Sequence, residues 1–145
     1  LGTEGSVGYW SYCQSCSNNQ IPLMFDDMCS YMGDHYWNTQ WYDCSYGSIG
    51  YEATQTCGDS VWKHNLYVYD SSGIRVYVNG QEVVNNSSSF ISGLSLAYIG
   101  SRPSFGTNGL DGNIDDLFFT SEVLDETDAS RIYQQGLLGR PMRWQ

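Results

Sequence analysis

Between Gly73 and Val84, in GIRVYVNGQEVV, apolar Ile74, Val76 and Val78 alternate with Arg75 and Tyr77, and Asn79-Gly80 then precedes a second apolar-rich run. Alternation with a period of two marks a strand with distinct faces. Asn-Gly between two such runs marks a tight hairpin, because a type I′ turn needs positive φ at both central residues. The same rhythm recurs along the chain, with strand-like runs at 6–12, 21–25, 36–42, 48–53, 61–70, 74–78, 81–84, 95–99 and 113–120 and a further candidate at 140–144. Many short strands separated by turn residues predict an all-β protein, an antiparallel two-sheet sandwich of the jelly-roll type. One segment departs from the pattern. In VLDETDASRIYQQG, Asp125 fits an N-cap, and Glu126 and Asp128 suit the positive end of a helix dipole. Leu124, Ala129, Ile132 and Tyr133 form a narrow apolar stripe, and Gly136 fits a C′ residue. A short helix near the C-terminus, packed on one end of the sandwich, is expected.

Strand alternation also assigns faces. In VWKHNLYVYD, Trp62, His64, Leu66 and Val68 share one side, which reads as core and makes His64 a packed, hydrogen-bonded structural residue. Lys63, Asn65, Tyr67 and Tyr69 share the other side. In YWNTQWY, Trp37, Thr39 and Trp41 oppose Tyr36, Asn38, Gln40 and Tyr42. Tyrosines interleaved with Asn, Gln and Lys suit stacking on sugar rings and hydrogen bonding to hydroxyls. Tyr36, Asn38, Gln40, Tyr42, Lys63, Asn65, Tyr67 and Tyr69 are therefore the candidate ligand-binding surface. The plainer alternative is a polar coat on a solvent-facing sheet.

Composition narrows the function classes. The 145 residues are read as one domain spanning 1–145, with a Cys- and aromatic-rich part over 1–60. A net charge of −10 opposes phosphate backbones and anionic lipid, so neither nucleic acid nor a membrane surface is an expected partner. No apolar run approaches the roughly 18 residues that span a bilayer. The start LGTEGSVGYW lacks the basic and apolar blocks of a signal peptide, as in a mature product or an excerpt of a longer chain. Lys63 is the single lysine beside 12 tyrosines, a bias usual in secreted β-proteins. Cys13, Cys16, Cys29, Cys44 and Cys57 fit two disulfides with one cysteine left over, free or joined to another chain, and the pairing stays open. The rival is a zinc site built on Cys13-x2-Cys16 with Cys29 and Cys44, although no second Cys-x2-Cys occurs. Overlapping sequons make Asn85 and Asn86 candidate glycosylation positions in a polar loop.

From residue 61 to 136 the order of signals resembles the laminin-G-like, concanavalin-A-like jelly rolls. The features are Trp62 and His64, then Tyr77 with Asn79 and Gly80, then Ile99-Gly100, then Gly112 with Ile114 and Asp115, then the short helix. SVGYWSY is similar to the strand of an earlier Trp motif, and 137–145 reads as a tail or closing strand. Trp62, His64, Asn79, Gly80 and Asp115 are thus expected to be structural. Such domains usually carry further chain before that Trp strand, so either MRWQ and the N-terminal arm close the sheet by themselves or an edge is left open, a template for strand addition.

The superfamily includes glucanases, but their Glu-x-Asp-x-x-Glu pattern is absent. Adjacent Asp115 and Asp116 are expected on opposite faces of a strand, unable to act as a carboxylate pair, with Asp115 inward beside Leu117 and Phe119. Neither histidine assembles a triad. The resemblance also implies calcium as a candidate cofactor, with loop acids Asp26, Asp27, Asp70 and Asp111 as candidate ligands. Where pentraxin-type members hold their ligands, this chain has Ser101-Arg102-Pro103-Ser104, which removes a pentraxin-like site. The expectation is a secreted or cell-surface, non-catalytic binding and adhesion module for glycan or extracellular protein. A self-assembling structural subunit of a filament or coat is the alternative, and a glycoside hydrolase runs third.

Overall fold

The computed structural model describes residues 2–14, 20–25, 30–35, 38–43, 47–52, 61–87, 96–100 and 110–139. Ten strands and one helix run through them: β1 (Gly5–Cys13), β2 (Gln20–Phe25), β3 (Ser30–His35), β4 (Asn38–Asp43), β5 (Gly47–Glu52), β6 (Lys63–Asp70), β7 (Gly73–Val78), β8 (Gln81–Asn86), β9 (Leu96–Ile99), β10 (Gly112–Thr120) and α1 (Glu126–Leu137). They form two five-stranded antiparallel sheets, ordered β10-β1-β6-β7-β8 and β5-β4-β3-β2-β9. The expected two-sheet sandwich with one helix is the observed architecture. The sequence pattern overlooked β3, and the candidate strand at 140–144 lies outside the described residues.

The hairpin at Asn79-Gly80 folds as the sequence predicts, with φ of 52° and 79° at the two central residues. The Asn79 side chain locks the turn to β6 by accepting the His64 backbone N–H at 3.0 Å, and the Asn79 N–H returns to the His64 carbonyl at 2.9 Å. A Cβ on Gly80 would come within 3.0 Å of Ser130 Cα, so the turn also needs glycine to lie against α1.

Both faces of the first sheet are covered. On its inner face Val7, Tyr9, Tyr67, Tyr69, Ile74, Val76 and Val84 pack with Leu23 of the second sheet, joined at the margin by Ile114, Leu117 and Phe119. Tyr9 and Tyr67 stack at 6.0 Å, and the Asn65 amide donates to the Ser11 hydroxyl at 2.9 Å. On its outer face Leu66, Val68 and Tyr77 pack beneath α1 through Leu124, Ala129 and Ile132, with Phe118 alongside. The helix therefore lies across the outer face of a sheet, not on one end of the sandwich as expected.

Local chemistry fixes that helix. Asp125 caps it, accepting from the Asp128 N–H at 2.9 Å while Asp128 accepts from the Asp125 N–H at 3.3 Å, a reciprocal capping box. Ser6 ties the preceding turn to β1, its hydroxyl donating to the Glu122 carbonyl at 2.7 Å and accepting from the Leu124 N–H at 3.1 Å. At the other end α1 runs through Gly136 to Leu137, one residue beyond the expected C′ glycine. Gly139, with φ of 61°, takes the left-handed position instead.

Candidate functional site

Most of the expected binding surface on β6 is interior. Tyr67 and Tyr69 are almost wholly buried between the sheets and Asn65 is bonded to Ser11 beside them, so none of the three can meet a ligand. Burial raises the phenol pKa of Tyr69. Lys63 is half-buried at the start of the same row. Asn38, Gln40 and Tyr42 lie on β4, in the other sheet, and Tyr36 lies outside the described residues. The two rows thus belong to strands of different sheets. The physical reason for the burial is that β6 has the second sheet on one side and α1 on the other, so alternation separates two dry faces rather than a dry one from a wet one.

The remaining candidates divide as follows. His64 is buried as expected, yet both its ring nitrogens lack a hydrogen-bond partner, which corrects the expectation of a bonded core histidine. Burial pulls its pKa from the usual 6.5 down to about 4, so it sits neutral. Its ring packs at 5.3 Å from that of Trp10. Asp70 accepts from the Ser72 N–H at 2.6 Å and forms an ion pair with Arg75, so its carboxylate serves the β6–β7 turn. The Asp111 carbonyl accepts from the Gln14 N–H at 2.8 Å. Asp26 and Asp27 lie outside the described residues, among which no cluster of three or more His, Cys, Asp or Glu gathers to hold a metal ion. Cys13 ends β1, while Cys16, Cys29, Cys44 and Cys57 lie outside the described residues, as do Ser101, Arg102, Pro103 and Ser104. Asn85 and Asn86 sit at the end of β8 rather than in a loop, Asn85 exposed and donating to Glu82 at 3.1 Å.

Two expectations reverse, and together they make a site. Trp62 is not core but 41% exposed, tilted against Tyr12 at 5.6 Å. Asp115 is not inward but exposed, and so is Asp116. The cause is a bulge between β1 and β10: Trp10 pairs with Asp115 and Gly8 with Phe118, so Tyr9 alone opposes Asp116 and Leu117. Asp116 absorbs the extra residue in the left-handed region at φ of 48°, its N–H bonded to the Asp115 carboxylate at 2.8 Å. The insertion cancels strict alternation, and the adjacent carboxylates line the same space.

That space is an open cleft of about 300 Å³ lined by Trp10, Trp62, Asp115, Asp116, Gly136 and Leu137. It opens where α1 ends and no longer covers the outer face of β1. Trp10 forms its inner wall, held between His64 and Tyr133, whose ring stacks on the indole at 5.7 Å. Gly136 lets the helix close on that indole: a Cβ there would fall 2.5 Å from Trp10 Cζ2. The cleft thus offers an exposed indole, a buried indole behind it, and two solvated carboxylates. That combination can stack on an apolar ring face and accept hydrogen bonds from hydroxyls. Ile114, Leu117 and Phe119 all face inward, and the gap of three residues between the first two was the signal in the sequence that a strand of period two must bulge there.

A family model described as the concanavalin A-like lectin/glucanases superfamily matches residues 4–130, extending the resemblance well upstream of residue 61. No curated protein matches the chain in sequence. Among solved structures, the chain is similar to the CBM40 module of the Ruminococcus gnavus IT-sialidase bound to α2,3-sialyllactose. The TM-score is 0.72 and the identity 12%, over 92% of this chain and 84% of that one. Domain 4 of an extracellular arabinanase from Geobacillus stearothermophilus, in complex with arabinotriose, aligns with a TM-score of 0.69 and 17% identity over 90% and 67% of the two chains. The Trypanosoma rangeli sialidase aligns at 0.66 and 13% identity over 94% of this chain but only 23% of that enzyme. At these identities the likeness is one of fold.

Proposed function

The chain belongs to the concanavalin A-like lectin/glucanases superfamily, and we propose that it is a non-catalytic, extracellular carbohydrate-binding module whose site is the cleft between Trp62 and the β10 bulge. The observation that carries this reading is Trp62, a large aromatic side chain left 41% exposed at the mouth of a cleft backed by a second tryptophan. An exposed indole costs solvation, and its natural use is to cover the apolar C–H face of a sugar ring. Asp115 and Asp116 then accept hydrogen bonds from that sugar's hydroxyls. A module bound to a sialylated sugar and an arabinanase domain in complex with an arabinose oligomer, both similar in fold, support the class of ligand.

Catalysis is not part of the proposal. Glycosidase carboxylates flank the scissile bond, about 5 to 9.5 Å apart across it. Asp115 and Asp116 are neighbours on one bulge and so belong to one wall of the cleft. Assembly through strand edges is also not favoured at β10, because a bulge with two exposed carboxylates is the device by which edge strands resist pairing.

Retention of the full chain on immobilised glycans tests the reading. Trp62→Ala and Tyr12→Ala are each expected to weaken retention by about tenfold or more. Unchanged retention in both variants would remove the cleft from consideration.

A further inference from the structure

The chemistry of the cleft wall points to a narrower ligand class. Given that the cleft is the sugar site, we propose that it selects sugars bearing only hydroxyl or amine donors and excludes acidic ones. Three features of different origin place negative potential there. Asp115 and Asp116 are exposed on the wall, two adjacent carboxylates on one bulge. Gly136 and Leu137 belong to the last turn of α1, whose end carries the negative pole of the helix, about half an elementary charge. No basic side chain lies in that last turn to offset it.

The cations among the described residues do not correct the balance. Among the described residues Arg75 pairs with Asp70 and Arg131 with Asp128. Lys63 follows Trp62 in sequence, but it pairs across with Ser11, on the inner face of the sheet. The polar wall is also one-sided in hydrogen bonding. Carboxylates and helix-terminal carbonyls only accept, and the indole N–H of Trp10 is buried, which leaves the Trp62 indole N–H as the side-chain donor among the exposed lining residues. A ligand that meets the carboxylate wall must therefore bring donors. Hydroxyls and protonated amines do so, whereas the carboxylate of a sialic or uronic acid brings further acceptors and like charge to two fixed anions. The whole-chain charge of −10 acts in the same direction during encounter.

The test is a matched pair of immobilised glycans, lactose and its 3′-sialylated form, presented to the full chain and to two variants. Trp62→Ala probes the site, and the double variant Asp115→Asn with Asp116→Asn probes the charge. The amide isosteres keep the bulge: asparagine tolerates the left-handed conformation at position 116, and an amide oxygen at position 115 can still accept the N–H of the next residue. The native chain is expected to retain lactose over sialyllactose by about tenfold or more, and the double variant to bring the two together. Equal or stronger retention of sialyllactose, still lost in Trp62→Ala, would overturn the charge selection and leave the sugar site standing. Retention of either glycan unaffected by Trp62→Ala would overturn the site itself, and the selectivity with it.

Discussion

On the inner side of β6, Asn65, Tyr67 and Tyr69 are sealed against the second sheet; on the outer side, His64, Leu66 and Val68 are sealed by α1 until the helix ends and Trp62 emerges. The inner face is closed along its length by a sheet, which cannot stop halfway. The outer face is closed by a twelve-residue helix, which can. A binding site therefore arises on the helix-covered face, at the point where its cover runs out, although that face carries the more apolar residues of β6. Polar decoration is a poor guide to solvent when both sides of a strand are packed, because a tyrosine can bury its ring and satisfy its hydroxyl inside.

The sharpest way to break this comparison is Tyr67→Ala. If the tyrosine face met solvent, the change would leave stability within about 0.5 kcal/mol. Buried between the sheets, the lost ring is expected to cost about 3–5 kcal/mol in urea unfolding. Tyr67→Phe, which keeps the ring, should cost about 1 kcal/mol.

The outer face has its own signature in pH. The unfolded chain takes up a proton on His64 near 6.5 and the folded chain only near 4, so acid favours unfolding across that interval. The stability contributed by keeping His64 neutral is whole above about pH 6.5 and is lost progressively toward pH 4, about 3 kcal/mol in all. His64→Leu should flatten the slope of stability over this window. A slope identical in native and variant chains would mean that other groups carry it.

Where α1 meets the cleft, Gly136→Ala separates two opposite expectations. In an isolated helix the change would stabilise by about 1 kcal/mol. Here the new Cβ would fall 2.5 Å from the Trp10 ring, itself wedged between His64 and Tyr133, so destabilisation of about 1–3 kcal/mol is expected. A rise in melting temperature would show that the helix end does not bear on the indole.

These contrasts also explain what could be read from the sequence. Alternation located β6, β7 and β8, and Asn79-Gly80 fixed their hairpin, because local backbone preference and pairing agree there. Capping chemistry located the start of α1 at Asp125. The strand Ser30–His35 escaped notice because Gly33 and Asp34 interrupt its pattern, and pairing with β2 and β4 supplies what propensity does not. The cleft was invisible for a different reason. It requires the bulge at Asp116, the overrun of α1 past Gly136, and knowledge of which face each covers. The first left a trace in the spacing of Ile114, Leu117 and Phe119. The others are tertiary, set by an indole from residue 10 meeting a helix from residue 136.

The smallest expected effect on stability falls at the residue on which the functional reading most depends. Trp62 precedes β6, leans on Tyr12 and leaves 41% of its surface to water. Its removal takes little from the core, and Trp62→Ala is expected to shift unfolding by no more than about 1 kcal/mol. Trp10, only 7% exposed on the same wall, would cost about 3–5 kcal/mol if truncated. The pair divides structure from function within one cleft: an unfolding curve for Trp62→Ala that overlays the native one, beside a lost glycan signal, assigns the exposed indole to the ligand. A large loss of stability at Trp62 would instead make it part of the packing, and the cleft a seam between helix and sheet.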